Sequence, residues 1–115
     1  MKTFKKTILL DLDGVLNTYD GKYQKDHIPP IREGAKDFIR KIYEDFKIIL
    51  FTSREKNIAS EWITENELND YISEITNIKK PAYLIIDDRC LNFKGDYQDL
   101  LSKIENFKPW YKSTC

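Results

Sequence analysis

Asp11 and Asp13 stand two positions apart at the end of the apolar run Ile8-Leu9-Leu10, with Gly14 directly behind them. On a strand, side chains at i and i+2 leave the same face. The two carboxylates are therefore expected to converge at a strand tip while Leu12 turns into the core. Carboxylates held that close repel unless a cation or a shared proton relieves them, so the pair suggests the start of a magnesium and phosphate site. Three further polar sets follow along the chain: Thr52-Ser53-Arg54, Lys79-Lys80 and Asp87-Asp88-Arg89. Singly, each has an ordinary reading as a turn, a helix cap or a solvated face. Their order, and their placement after strand-like runs, is what sets them apart.

The elements that must position these residues follow from periodicity. Residues 6–11, Lys47 to Phe51 and Ala82 to Ile86 are short apolar runs of the kind buried on both faces of a parallel sheet, and Ile72 to Ile75 suggests another short strand. Pro29-Pro30 suits the first turn of a helix, whose stripe would be Ile31, Ala35, Phe38, Ile39, Ile42 and Phe46. A second helix is expected over 56–67 with Ile58, Trp62 and Ile63 inward, and a closing helix from Tyr97 to Phe107 with Leu100, Leu101 and Ile104 inward. Strands alternating with helices predict a parallel α/β sheet, and such sheets bind ligands at the C-terminal ends of their strands.

Composition fits one domain, 1–115, since 41% apolar and 33% charged residues describe an ordinary folded protein. The 19 basic and 19 acidic residues cancel, which disfavours general nucleic-acid coating but not a local basic patch. No apolar run approaches the roughly 18 residues of a membrane span, and the expected location is the cytoplasm. Cys90 and Cys115 have no metal or redox spacing and read as reduced thiols. His27 reads as a solvated loop residue and Trp62 as core. Tyr19 and Tyr23 flank the Asp20-Gly21 turn, where they could line the entrance to a site or pack the loop.

The stretches Asp11-Leu12-Asp13-Gly14-Val15-Leu16, Ile48-Ile49-Leu50-Phe51-Thr52, a lysine before the fourth strand, and Ile85-Ile86-Asp87-Asp88-Arg89 together resemble the haloacid dehalogenase (HAD) superfamily. Lys79-Lys80-Pro81-Ala82-Tyr83 and Phe107-Lys108-Pro109-Trp110 are similar to a small bacterial and phage subgroup of it. The resemblance implies a three-layer Rossmann-like core with a small parallel sheet. It also implies a Mg²⁺-dependent phosphohydrolase working through an aspartyl-phosphate. By that resemblance Asp11 is the nucleophile, Asp13 the acid and base, and Thr52 a phosphoryl hydrogen-bond donor. A lysine, with Lys79 preferred over Lys80, neutralises charge. Asp11, Asp13 (through its carbonyl), Asp87 and Asp88 hold the metal, with Asp87 favoured over Asp88 as direct ligand. Ser53, Arg54 and Arg89 each follow a motif residue and are expected to bind substrate; for the arginines an ion pair is the alternative.

Members of the superfamily often carry a cap inserted after the first motif or before the lysine. Here the first gap is a short loop and the second, Glu55 to Ile78, holds one helix and one strand, so no cap is expected. An open site suits a bulky phosphate monoester such as a nucleotide or polynucleotide end, and the Asp-Asp-Arg motif resembles polynucleotide 3′-phosphatase domains. Alternatively, a second copy of the chain in a homo-oligomer could close it. The competing readings are a non-catalytic metal or phosphate-binding module, and a receiver domain, which would need a phosphoacceptor aspartate after Ile48–Phe51.

Overall fold

The computed structural model describes residues 5–110, so Cys115 lies outside the described residues. Four strands and three helices alternate: β1 (Lys6–Asp11), α1 (Ala35–Tyr43), β2 (Phe46–Phe51), α2 (Lys56–Glu65), β3 (Ile72–Thr76), β4 (Leu84–Ile86) and α3 (Tyr97–Asn106). The strands form one parallel sheet in the order β3-β2-β1-β4. Stacking Ile8 on Ile48 and Leu10 on Leu50 puts the branched side chains of the two central strands on one face. There they meet Ala35 and Ile39 of α1 and Ala59, Trp62 and Ile63 of α2 in a single core. Leu9 and Ile49, on the opposite face, are buried as well, which is why both central strands are apolar without alternation. The result is a compact α/β Rossmann-like core without a cap.

Parallel strands bring all their C-terminal ends to one edge. Asp11 ends β1, Thr52 follows β2, and Asp87 and Asp88 follow β4. The register pairs Asp11 with Phe51 and Leu10 with Ile86, so these three segments leave the sheet side by side.

Two expected elements differ. Helix α1 starts at Ala35, because Ile31 lies extended in a bridge to Asn17 and Gly34 adopts φ 88°. Phe46 belongs to β2, and Phe38 is largely exposed. Helix α3 buries none of its residues, and Leu101 and Ile104 remain 57% and 58% exposed rather than packing inward. The strand that precedes it, β4, is short and forms the sheet edge, with Leu84 and Ile85 themselves partly bare. Local contacts hold the helix instead: Asp96 caps its N-terminus by accepting from Gln98 N–H, and Lys103 pairs with Asp99. Among the described residues, no helix is long and apolar enough to cross a membrane.

Candidate active site

Beyond Asp11 the chain turns at once. Val15 and Leu16 N–H both donate to Leu12 O (3.3 and 3.0 Å), which buries Leu12 and Leu16 in the core and lifts Asp13 to the edge. Gly14 sits at φ 87°, a left-handed conformation that disfavours side chains, and a Cβ there would collide with Asp88 Oδ2. Glycine is needed for both reasons: the turn brings the backbone of the first motif against a carboxylate of the last. Trp110 reaches the same turn, donating its indole N–H to Gly14 O (2.6 Å) while Arg32 lies 4.4 Å over its ring.

Asp11, Asp87 and Asp88 each bring a carboxylate oxygen within 4.8 Å of the others. Burial, then the charges of Asp87, Asp88 and Asp13, push the Asp11 carboxyl up to about 8. Asp88 is raised too, by burial first and then by hydrogen bonding to, and the charge of, Asp87. The same burial and the charges of Asp87 and Asp11 raise the Cys90 thiol. Asp88 Oδ2 is buried with no hydrogen-bond partner, an arrangement that costs free energy unless something positive meets it. An all-oxygen donor set with one orphaned, buried oxygen fits a hard divalent cation, so the triad could hold a metal. Asp87 and Asp88 both belong to it; Asp87 Oδ1 also accepts from Arg89 N–H (2.9 Å).

The side chain of Asp13 takes no part in that triad. Its carboxylate receives Arg54 Nε at Oδ2 (2.9 Å), and Arg54 Nη2 and Asn17 Nδ2 at Oδ1 (both 3.0 Å). Asn17, fully buried, uses its own Oδ1 to accept from Gly14 and Tyr19 N–H, so one amide fixes the turn and the carboxylate together. The sequence reading missed Asn17. The sequence offers only an asparagine four positions after Asp13, a spacing that suits a solvated loop equally well.

A cavity of about 220 Å³ lies above the strand tips, lined by Asp11, Asp13, Tyr19, Tyr23, Thr52, Ser53, Asp87, Asp88 and Arg89. Thr52 is held at its floor by donating its N–H to Thr76 O (2.9 Å), while its hydroxyl oxygen accepts from Arg54 N–H (3.1 Å). Two expected site residues stand outside the lining. Arg54 is buried behind Asp13, and Lys79 is exposed in the segment after β3. Lys80 pairs with Glu74 (2.7 Å), while Lys79 makes no ion pair among the described residues. His27 is exposed and lines a separate cavity with Trp62.

Where a cap would begin there is only a flap, residues 18–30. Its base is closed by Thr18 N–H donating to Pro30 O (2.9 Å) and by the Asn17–Ile31 bridge. Tyr19 and Tyr23 on this flap face the cavity.

An uncapped parallel core with carboxylates gathered from its first and last strand tips is the scaffold of a haloacid dehalogenase-type phosphatase. The family model for NLI interacting factor-like phosphatases matches residues 6–109, and the chain belongs to that family. Among solved structures, a conserved protein from Bacteroides thetaiotaomicron aligns with a TM-score of 0.60 and 20% identity, covering 97% of this chain and 99% of that one; it shares the fold. No curated protein matches the chain.

Proposed function

We propose that the protein is a Mg²⁺-dependent phosphohydrolase that cleaves phosphate monoesters through an aspartyl-phosphate on Asp11. The observation that carries this reading is the arrangement of Asp11 between two differently furnished neighbours. On one side are the Asp87 and Asp88 carboxylates, on the other the hydrogen-bonded Asp13. Mg²⁺, held by Asp11, Asp87 and Asp88 and by the Asp13 carbonyl, would supply positive charge against the carboxylates and the phosphoryl oxygens.

The chain's own groups account for the rest. An Asp11 oxygen forms a bond to phosphorus as the ester P–O bond breaks, and Asp13 gives a proton to the departing oxygen. Water then attacks the phosphorus of the intermediate while Asp13 takes its proton back, releasing inorganic phosphate and restoring Asp11. Thr52 and Ser53 are placed to hydrogen-bond phosphoryl oxygens, and Arg89 to hold a second anionic group. Lys79, exposed and outside the cavity lining, would have to turn toward the cavity to supply the remaining positive charge.

The cavity, about 220 Å³, is smaller than the ~300–1,000 Å³ of typical small-molecule pockets, so a bulky substrate would extend outside it. A nucleotide or a polynucleotide end fits this description. Phosphate release from aryl phosphates and from 3′- or 5′-phosphorylated oligonucleotides with Mg²⁺ tests the reading, and Asp11→Asn is expected to abolish it. The placement of Lys79 outside the cavity favours the alternative, a non-catalytic metal or phosphate-binding module. Folded protein that binds Mg²⁺ yet releases no phosphate from any of these would establish the alternative.

A further inference from the structure

Arg54 directly follows the Thr52-Ser53 pair that lines the cavity, yet its side chain is fully buried and is not part of the lining. Nearly all its hydrogen-bonding capacity is engaged inside the protein. Nε and Nη2 form a fork on the two oxygens of Asp13. Nη1 donates to Gln24 O (2.9 Å) and, at longer range, to Lys25 O (3.5 Å). The guanidinium plane also lies 4.7 Å from the ring centre of Tyr23, a cavity-lining residue of the flap. One buried group thus ties the acid–base carboxylate to the wall that faces substrate.

The donors are distributed unequally over Asp13. An ionised carboxylate offers about two acceptor positions on each oxygen. Oδ1 accepts from both Asn17 Nδ2 and Arg54 Nη2, whereas Oδ2 accepts from Arg54 Nε alone. The side chain keeps a 20% exposed surface toward the cavity. We infer that Arg54 is a positioning residue, one that fixes Asp13 so that Oδ2 is the oxygen that exchanges a proton with the leaving group and with water, and that anchors the Tyr23–Lys25 segment to it. This inference rests on the acid–base role proposed above for Asp13. It excludes a substrate-anion grip for Arg54, because no part of the buried guanidinium reaches the cavity.

Steady-state kinetics on phenyl phosphate and p-nitrophenyl phosphate with Mg²⁺ tests it, since only the poorer leaving group depends strongly on a proton donor. Arg54→Lys keeps the charge but cannot fork across two oxygens. Its kcat/KM on phenyl phosphate, which reports the step that forms the aspartyl-phosphate, is expected to fall about 10- to 100-fold, the scale of a misplaced catalytic group. The fall in kcat/KM on p-nitrophenyl phosphate should be distinctly smaller, while kcat falls on both wherever the common hydrolysis step limits turnover. A raised KM at constant kcat, or equal losses of kcat/KM on the two substrates, would overturn the inference. The second arm does not depend on Arg54→Lys folding: the double variant Asp13→Ala, Arg54→Met buries no unpaired charge. It should match Asp13→Ala in kcat and melt higher; a further loss of kcat beyond Asp13→Ala refutes the inference. If Asp13→Ala alone leaves both rates intact, the acid–base reading fails and the inference with it. An impaired Asp13→Ala beside an unimpaired Arg54→Lys removes only the positioning role.

Discussion

Asp13 and Asp88 both sit beside Gly14 at the C-terminal edge of the sheet, but the protein treats them in opposite ways. Asp13 receives three side-chain donors from Arg54 and Asn17. Asp88 keeps a buried oxygen with no donor at all, packed against Gly14, and burial, then acidic neighbours, raises both Asp88 and Asp11. Unmet polar groups of this kind are rare in native interiors, so the contrast has a functional meaning. On the proposed mechanism, the carboxylate that must keep one orientation is completed by the chain itself, and those that would receive a cation are left incomplete.

The largest effect should come from the crowded side. Asp11→Asn preserves shape but removes the proposed nucleophile, and turnover is expected to fall on the order of 10⁴-fold or more. The same change removes a carboxyl that the metal-free protein can hold in this buried, acidic place only by taking up a proton, so the variant should melt above the parent in EDTA at neutral pH. A variant that melts lower, or that retains activity, would break the contrast at its centre. On the completed side, Asp13→Ala should lower turnover by about 10²- to 10⁴-fold, the usual contribution of a positioned acid or base. Its stabilisation by Mg²⁺ should survive, because the Asp13 side chain is not part of the triad. If that stabilisation disappears, Asp13 belongs with the metal ligands and the division proposed here is wrong.

Gly14→Ala probes the seam between the two sides. A left-handed alanine costs on the order of 1–3 kcal/mol, and its methyl group must displace the Asp88 carboxylate. We expect a melting temperature several degrees lower and Mg²⁺ affinity reduced about tenfold, measured by titration of the melting temperature. Unchanged Mg²⁺ affinity would mean that Asp88 can move without consequence and is not a ligand.

Much of this site was legible in sequence because its parts end strands. Apolar runs mark β1, β2 and β4 clearly, and a parallel sheet then delivers Asp11, Thr52, Asp87 and Asp88 to one edge without knowledge of any contact. The partner of Arg54 was not legible: position after a motif shows proximity to the site, while the direction of a long side chain depends on a loop that folds back over it. Asn17 escaped for a similar reason, since a buried amide and a loop amide are the same letter. Helix α3 was legible as a helix, but its packing was not. The stripe of Leu100, Leu101 and Ile104 has helical spacing, but periodicity reports an apolar face and says nothing about whether a surface stands opposite it.

The most direct reading of the contrast needs no substrate. Asp11 is raised from 3.8 to about 8 in the metal-free protein, chiefly by burial and then by its acidic neighbours, and Asp88 moves in the same direction. Between those values the native state binds more protons than the unfolded chain, so stability must fall as pH rises. The contribution is fully present below about pH 4 and is lost as pH passes through about 8. Melting temperatures in EDTA should therefore decline over about pH 5.5 to 9. Mg²⁺ competes with those protons, so it should bind more weakly at the acid end and stabilise more at the alkaline end. At ten times its Kd the gain is about 1.4 kcal/mol, enough to flatten or reverse the slope above pH 7. A curve in EDTA that stays level across this range would show that the Asp11, Asp87 and Asp88 carboxylates are not crowded in solution, and the incomplete side of the site would lose its physical basis.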